Sequence, residues 1–140
     1  MRCQKLAIFG VVALALMSQG ATAQSQRREP QVNYQRSLDC VTIALTLNGV
    51  GRRNAFIDPV LESHLQRLRE TGRQMRRSAD EVQADATAAL QRKRDWAIRY
   101  DADPSHQLPR GGSPAMQMME VELFACYEMA AAEGFLVSSR

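Results

Sequence analysis

An all-α fold, a small antiparallel bundle of three or four helices, is predicted by three features of this 140-residue sequence. Apolar residues recur at helical spacing over most of the chain, and no segment shows the strict alternation of a half-buried strand. Glycine, asparagine and proline fall where helices should start and stop. Two widely separated cysteines, Cys40 and Cys126, then say which helices lie side by side.

The first segment reads as an address, not as part of the bundle. Arg2 and Lys5 form a basic head, residues 6–17 (LAIFGVVALALM) are apolar, and Ala21-Thr22-Ala23 is a small-x-small cleavage site. That order is a secretory signal peptide covering residues 1–23. The run falls short of the roughly 20 apolar residues that a bilayer-spanning helix needs. It therefore predicts export and removal, with no transmembrane segment in the mature chain. The destination is the periplasm in a Gram-negative cell and the medium otherwise. Removal also resets the charge. Of 18 basic residues Arg2 and Lys5 leave, while all 15 acidic residues stay, so a net +3 becomes +1. A near-neutral mature chain argues against nucleic acid as a partner.

Cys3 leaves with the basic head, and an even pair remains. In an exported domain of this size Cys40 and Cys126 predict a disulfide. Closing a loop of about 87 residues is worth roughly 4–5 kcal/mol in the chain-entropy model. No C-x-x-C spacing is present to lower a thiol pKa, so the pair reads as structural, not redox-active.

Residues 24–31 (QSQRREPQ) are polar and aperiodic and predict a disordered start, leaving 32–140 as a single helical domain. From there Tyr34, Leu38, Val41 and Leu45 define one helical face, flanked by Cys40, Ala44 and Leu47. Asn48-Gly49-Val50-Gly51 ends this helix. Asp58 as cap and Pro59 at the first position start the next. A stripe then runs through Leu61, Leu65, Leu68, Gly72, Met75, Ala79, Val82, Ala86, Ala89, Lys93, Trp96 and Tyr100. Ser78 and Glu81 match a capping box, which would split this stretch into two helices. Because the stripe keeps phase across Ser78, one helix with at most a slight kink over 59–101 is the expectation. Its second half is thin, and a long helix of this kind could pair with its copy in a homodimer. Asp103-Pro104 stops it, residues 101–113 form a Pro/Gly/Ser-rich loop, and Ser113-Pro114 opens the last helix. There Met116, Met119, Leu123, Cys126, Tyr127 and Ala130 face inward, and Gly134 caps the end with Phe135 folding back. A Cys40–Cys126 bond sets the first and last helices together, and the middle element must fold over them.

Few residues point to chemistry. Arg67, Arg69, Arg73, Arg76 and Arg77 crowd into eleven positions, and residues 52–99 carry 11 basic against 7 acidic side chains. Such a cluster is either a surface for an anionic partner or a solvated helix face whose arginines pair with neighbours such as Glu70. Met116, Met118, Met119 and Met129 offer thioethers, but no histidine joins them at ligand spacing, and no metal or cofactor is expected. His64, beside Leu65, reads as a surface or boundary residue, and His106 lies in a loop. Ser63-His64 with Glu62 is not a triad, since helical neighbours point apart. No catalytic motif is present, so no enzyme is expected. The sequence thus predicts an exported non-enzymatic protein acting by surface contact with a protein or anionic envelope partner. The alternative is a small ligand- or metal-binding carrier using the bundle interior or the last helix's methionines.

Overall fold

The computed structural model describes residues 8–137, with side chains from residue 28 onward. The basic head with Arg2, Cys3 and Lys5 lies outside the described residues. Four α-helices follow in order: α1 Ile8–Gly49, α2 Ile57–Gln74, α3 Ala79–Ala102 and α4 Pro114–Ala132, with a 3-10 turn at Pro104–His106 before α4. No strand occurs among the described residues. Residues 24–31 belong to α1 rather than forming a disordered start. Once a helix is nucleated, extending it costs little per residue, and Pro30 is accommodated inside α1.

α1 is the hub, packing against each of the other three helices. Around residues 37–47 almost every side chain is buried, including Ser37, Thr42 and Thr46. The buried threonines stay satisfied by turning back on the helix: Thr46 Oγ1 donates to the Thr42 carbonyl at 2.7 Å, and Thr42 Oγ1 to that of Asp39 at 2.8 Å. Two cores lie along this helix. The larger joins Cys40, Ile43, Ala44 and Leu47 to Ile57 and Val60 of α2, Ala97 of α3, and Ala115, Met119, Leu123 and Cys126 of α4. The smaller joins Tyr34 and Leu38 to Leu68 of α2 and Ala89 of α3. α1 and α3 therefore run from the small core to the large one, and α2 runs the other way. α4 starts beside the end of α3, where the Ala115 amide donates to Asp101 Oδ1 at 2.8 Å, and returns to pair Glu133 with Arg36 and Arg67. The bundle is antiparallel, four helices deep at one end and three at the other. The Cys40–Cys126 disulfide, with Cα atoms 5.8 Å apart, ties α1 to α4.

The stretch expected to be one long helix is two, α2 and α3, with a turn at residues 75–78. Arg77 N donates to the Gly72 carbonyl and Arg76 N to that of Arg73, both at 2.9 Å, which is a Schellman ending. The position that must be left-handed is Arg76, with φ 58°. No glycine marks the turn, and that hid the break. Its other signal was present: Ser78 Oγ accepts from Glu81 N, and the Glu81 carboxylate accepts from Ser78 N at 2.7 Å, completing the capping box. The stripe's phase across the turn does not follow one buried face: Leu68, Gly72 and Ala89 are buried, Leu61, Leu65, Val82 and Ala86 lie at the edge, and Ala79 is exposed. Two further helices end the same way, at Gly51 and at Gly134, where the Phe135 amide reaches the Ala130 carbonyl.

The start of α2 also differs from expectation. The helix begins at Ile57, one position before Asp58, which lies in the first turn and makes no cap bond. Asn54 shapes the entry by accepting from Phe56 N at 2.9 Å. Ser113 does cap α4, accepting from Met116 N at 3.1 Å, with Pro114 first in the helix. Among the described residues no helix is long and apolar enough to cross a membrane.

Candidate functional site

The turn at Arg76 decides where the arginines go. By reversing the chain it lays the second half of α2 against the first half of α3, leaving a surface groove of about 390 Å³ between them. Its floor is apolar: Leu65 and Leu68 from α2, and Ala79, Val82 and Ala86 from α3. Arg69, Arg73 and Arg77 stand along its wall. Arg69 and Arg73 fall four residues apart on one face of α2, and Arg77 joins them from the turn that follows the helix. Leu68 is buried, while Leu65, Val82 and Ala86 are half-exposed. α2 approaches α3 and α1 closely because Gly72 has no side chain. A Cβ there would meet Val82 Cγ2 at 2.9 Å and Tyr34 Cε2 at 3.5 Å.

The three guanidiniums are not equivalent. Arg77 forms an ion pair with Asp85 and lies 5.3 Å from the Tyr34 ring centroid. The Tyr34 hydroxyl donates to the same Asp85 oxygen at 2.6 Å. Burial, then the bond to Asp85, push the Tyr34 phenol up to about 12. Arg77 is thus neutralised and held in place. Arg69 and Arg73 have no acidic side chain within ion-pair distance among the described residues; Arg73 Nε only donates to the Arg69 carbonyl at 3.4 Å. Glu70, expected to serve the arginines, instead accepts from Gln66 Nε2 at 3.1 Å.

The remaining two arginines lie elsewhere. Arg67 leaves the cluster for the opposite side of α2, 3.5 Å from a Glu133 oxygen and 4.8 Å over the Phe135 ring. Arg76 is exposed in the turn. The cluster that looks continuous in sequence is therefore one groove-facing trio, one turn residue and one paired arginine.

His64 is not at the surface or boundary but fully buried in contact with the disulfide region. Its Nε2 lies 3.0 Å from the Cys126 carbonyl oxygen, and the ring meets Phe135 edge-on at 5.1 Å. A carbonyl only accepts, so Nε2 carries the proton and Nδ1 is bare. No partner reaches that buried Nδ1. Burial holds the imidazole below its ordinary pKa, partly countered by the bond to Cys126. The missed signal was the spacing Val60, His64, Leu68, which is the true inner face of α2; Leu61 and Leu65 sit at its edge. Ser63 is buried too, and its hydroxyl accepts from Val137 N at 2.8 Å.

The other candidates separate. Met119 is wholly buried, Met116 and Met129 pack against the large core, and Met118 is 40 % exposed. His106 caps α3, its Nδ1 donating to the Tyr100 carbonyl at 3.0 Å while the ring stacks on Tyr100 at 3.7 Å.

No protein-family model, curated protein or solved structure matches this chain.

Proposed function

We propose that this chain is an exported, non-enzymatic helical protein that works by surface contact with an anionic lipid of the cell envelope. The observation that carries this reading is the pair Arg69 and Arg73, without acidic partners among the described residues, standing over an apolar floor of Leu65, Leu68, Val82 and Ala86. Guanidinium groups match phosphate in charge and in hydrogen-bond geometry. Half-exposed leucine, valine and alanine below them suit the upper part of an acyl chain. A phosphate with hydrocarbon attached meets both demands, whereas a purely polar anion would leave the floor wet. The export half of the proposal rests on the basic head, apolar run and small-residue site of residues 1–23.

Co-sedimentation of the mature chain with vesicles tests it. Phosphatidylglycerol vesicles are expected to retain the protein at about 0.1 M salt, where the screening length is about 10 Å, and to release it at about 1 M, where it is about 3 Å. Equal retention on phosphatidylcholine, or none on either, overturns the proposal.

A further inference from the structure

Three metal-ligand side chains from three helices meet in the large core. Cys40 comes from α1, His64 from α2 and Cys126 from α4, and their ligand atoms all lie within 4.8 Å of one another. The residues are 3 %, 0 % and 5 % exposed. In this structure the sulfurs are bonded to each other. His64 adds nothing to that bond beyond its contact with the Cys126 carbonyl, and its Nδ1 is buried without a partner. A buried polar atom left unsatisfied is costly, and an apolar side chain of similar volume would avoid the cost. The disulfide alone gives no reason for an imidazole at this place.

We propose that Cys40, His64 and Cys126 form a redox-gated site for Cu(I). The disulfide is the closed state. A dithiol reductant opens it by passing two electrons and two protons to the sulfur–sulfur bond, yielding two cysteine thiols and the reductant's own disulfide. Cu(I) then displaces the two thiol protons and takes bonds from both sulfurs and one His64 nitrogen, with no change in its own oxidation state. Thiolate is the soft donor that favours Cu(I), and imidazole suits copper as well. Zinc held by two cysteines and a histidine needs a fourth ligand such as water, and this cluster is sealed from solvent. A monovalent d10 ion tolerates three-coordination, so burial together with two soft thiolates favours Cu(I). Disulfide and metal compete for the same two sulfurs, so a disulfide oxidant that takes two electrons from the bound thiolates, and is itself reduced to two thiols, re-forms the Cys40–Cys126 bond and releases Cu(I).

The test titrates Cu(I) anaerobically into the mature chain, phosphine-reduced and desalted, against a bathocuproine competitor. One equivalent per chain and two released protons are expected. The oxidised chain, which keeps its methionines, is expected to take up none. His64→Gln retains an amide that can donate to the Cys126 carbonyl and is expected to weaken binding at least tenfold. X-ray absorption of the copper-loaded wild-type chain supplies a readout independent of any variant's folding, and should show nitrogen beside two sulfurs. No stoichiometric uptake by the reduced chain, folded or not, overturns the proposal. So does equal uptake by the oxidised chain, or a sulfur-only copper environment.

Discussion

His64 Nε2 lies 3.0 Å from the carbonyl oxygen of Cys126, joining the middle of α2 to the residue that staples α4 to α1. The ring is neutral and dry, and this gives stability a pH dependence of definite sign. The unfolded chain takes up the proton near 6.5, whereas the folded chain resists it until lower pH, chiefly because the ring is buried. Glu133 nearby favours the charged form and Arg67 opposes it, both more weakly than burial. The folded state therefore binds fewer protons below 6.5, and its stability falls as pH drops from there toward the folded pKa. Melting temperatures measured from pH 7 to pH 5 should decline in the wild type and decline less in His64→Gln. An identical slope in both would show that His64 is not the group responsible.

The staple itself has a measurable worth. Cys40 and Cys126 are 86 positions apart, and their bond removes freedom chiefly from the unfolded chain. A Cys40→Ser, Cys126→Ser double variant should lose roughly 2–5 kcal/mol of unfolding free energy, read from urea denaturation. The four-helix end should suffer first, because α4 contributes to the large core and not to the small one. Hydrogen exchange should therefore rise in α4 before it rises at Tyr34, Leu38 and Leu68. Uniform loosening would contradict this division of the bundle.

How far the fold could be read from the sequence depended on whether a signal was local. Gly134 with Phe135, Ser113 with Pro114, and the inner face of α4 are short-range patterns, and each is realised. The disulfide was legible because a single intramolecular pairing remained. The α2–α3 break was not, because a left-handed position normally advertised by glycine is held by Arg76. His64 was misplaced for a different reason. Leucine spacing marks Leu61, Leu65 and Leu68 as the inner face of α2; Leu68 and Gly72 are buried there, but Leu61 and Leu65 sit at the edge and the rest of the buried face is Ile57, Val60, Ser63, His64 and Thr71. Small and polar residues there allow close approach, and their polar atoms mostly find partners across the bundle or along the helix. The arginine cluster was visible by composition, but its division between groove and far side needed the turn.

Arg76 makes a direct prediction. A non-glycine residue in the left-handed region costs about 1–2 kcal/mol, part of which is recovered because glycine is freer when unfolded. Arg76→Gly should accordingly stabilise the chain by about 0.5–1 kcal/mol, raising the thermal midpoint. The ending would then match those at Gly51 and Gly134. A drop in the midpoint would mean that the Arg76 side chain makes contacts worth more than the strain.

The groove reading distinguishes between arginines that look alike in sequence. Arg69 and Arg73 face the groove and have no acidic partner among the described residues; Arg67 points away, paired with Glu133 and stacked on Phe135. A basic residue near an anionic membrane surface contributes about 1 kcal/mol, so an Arg69→Gln, Arg73→Gln double variant should bind phosphatidylglycerol vesicles roughly 30-fold more weakly. Arg67→Gln removes one charge from the same helix, half of what the double variant removes, and should leave binding nearly unchanged, whereas diffuse attraction would cost it about half the loss in binding free energy. Its cost should appear in stability instead, and should be small, since exposed ion pairs contribute about 0–1 kcal/mol. Val82→Asp, which puts a charge on the groove floor without touching an arginine, should weaken binding to the same vesicles. If Arg67→Gln and the Arg69/Arg73 double variant lose affinity in proportion to charge alone, attraction is diffuse and the groove has no special part in it.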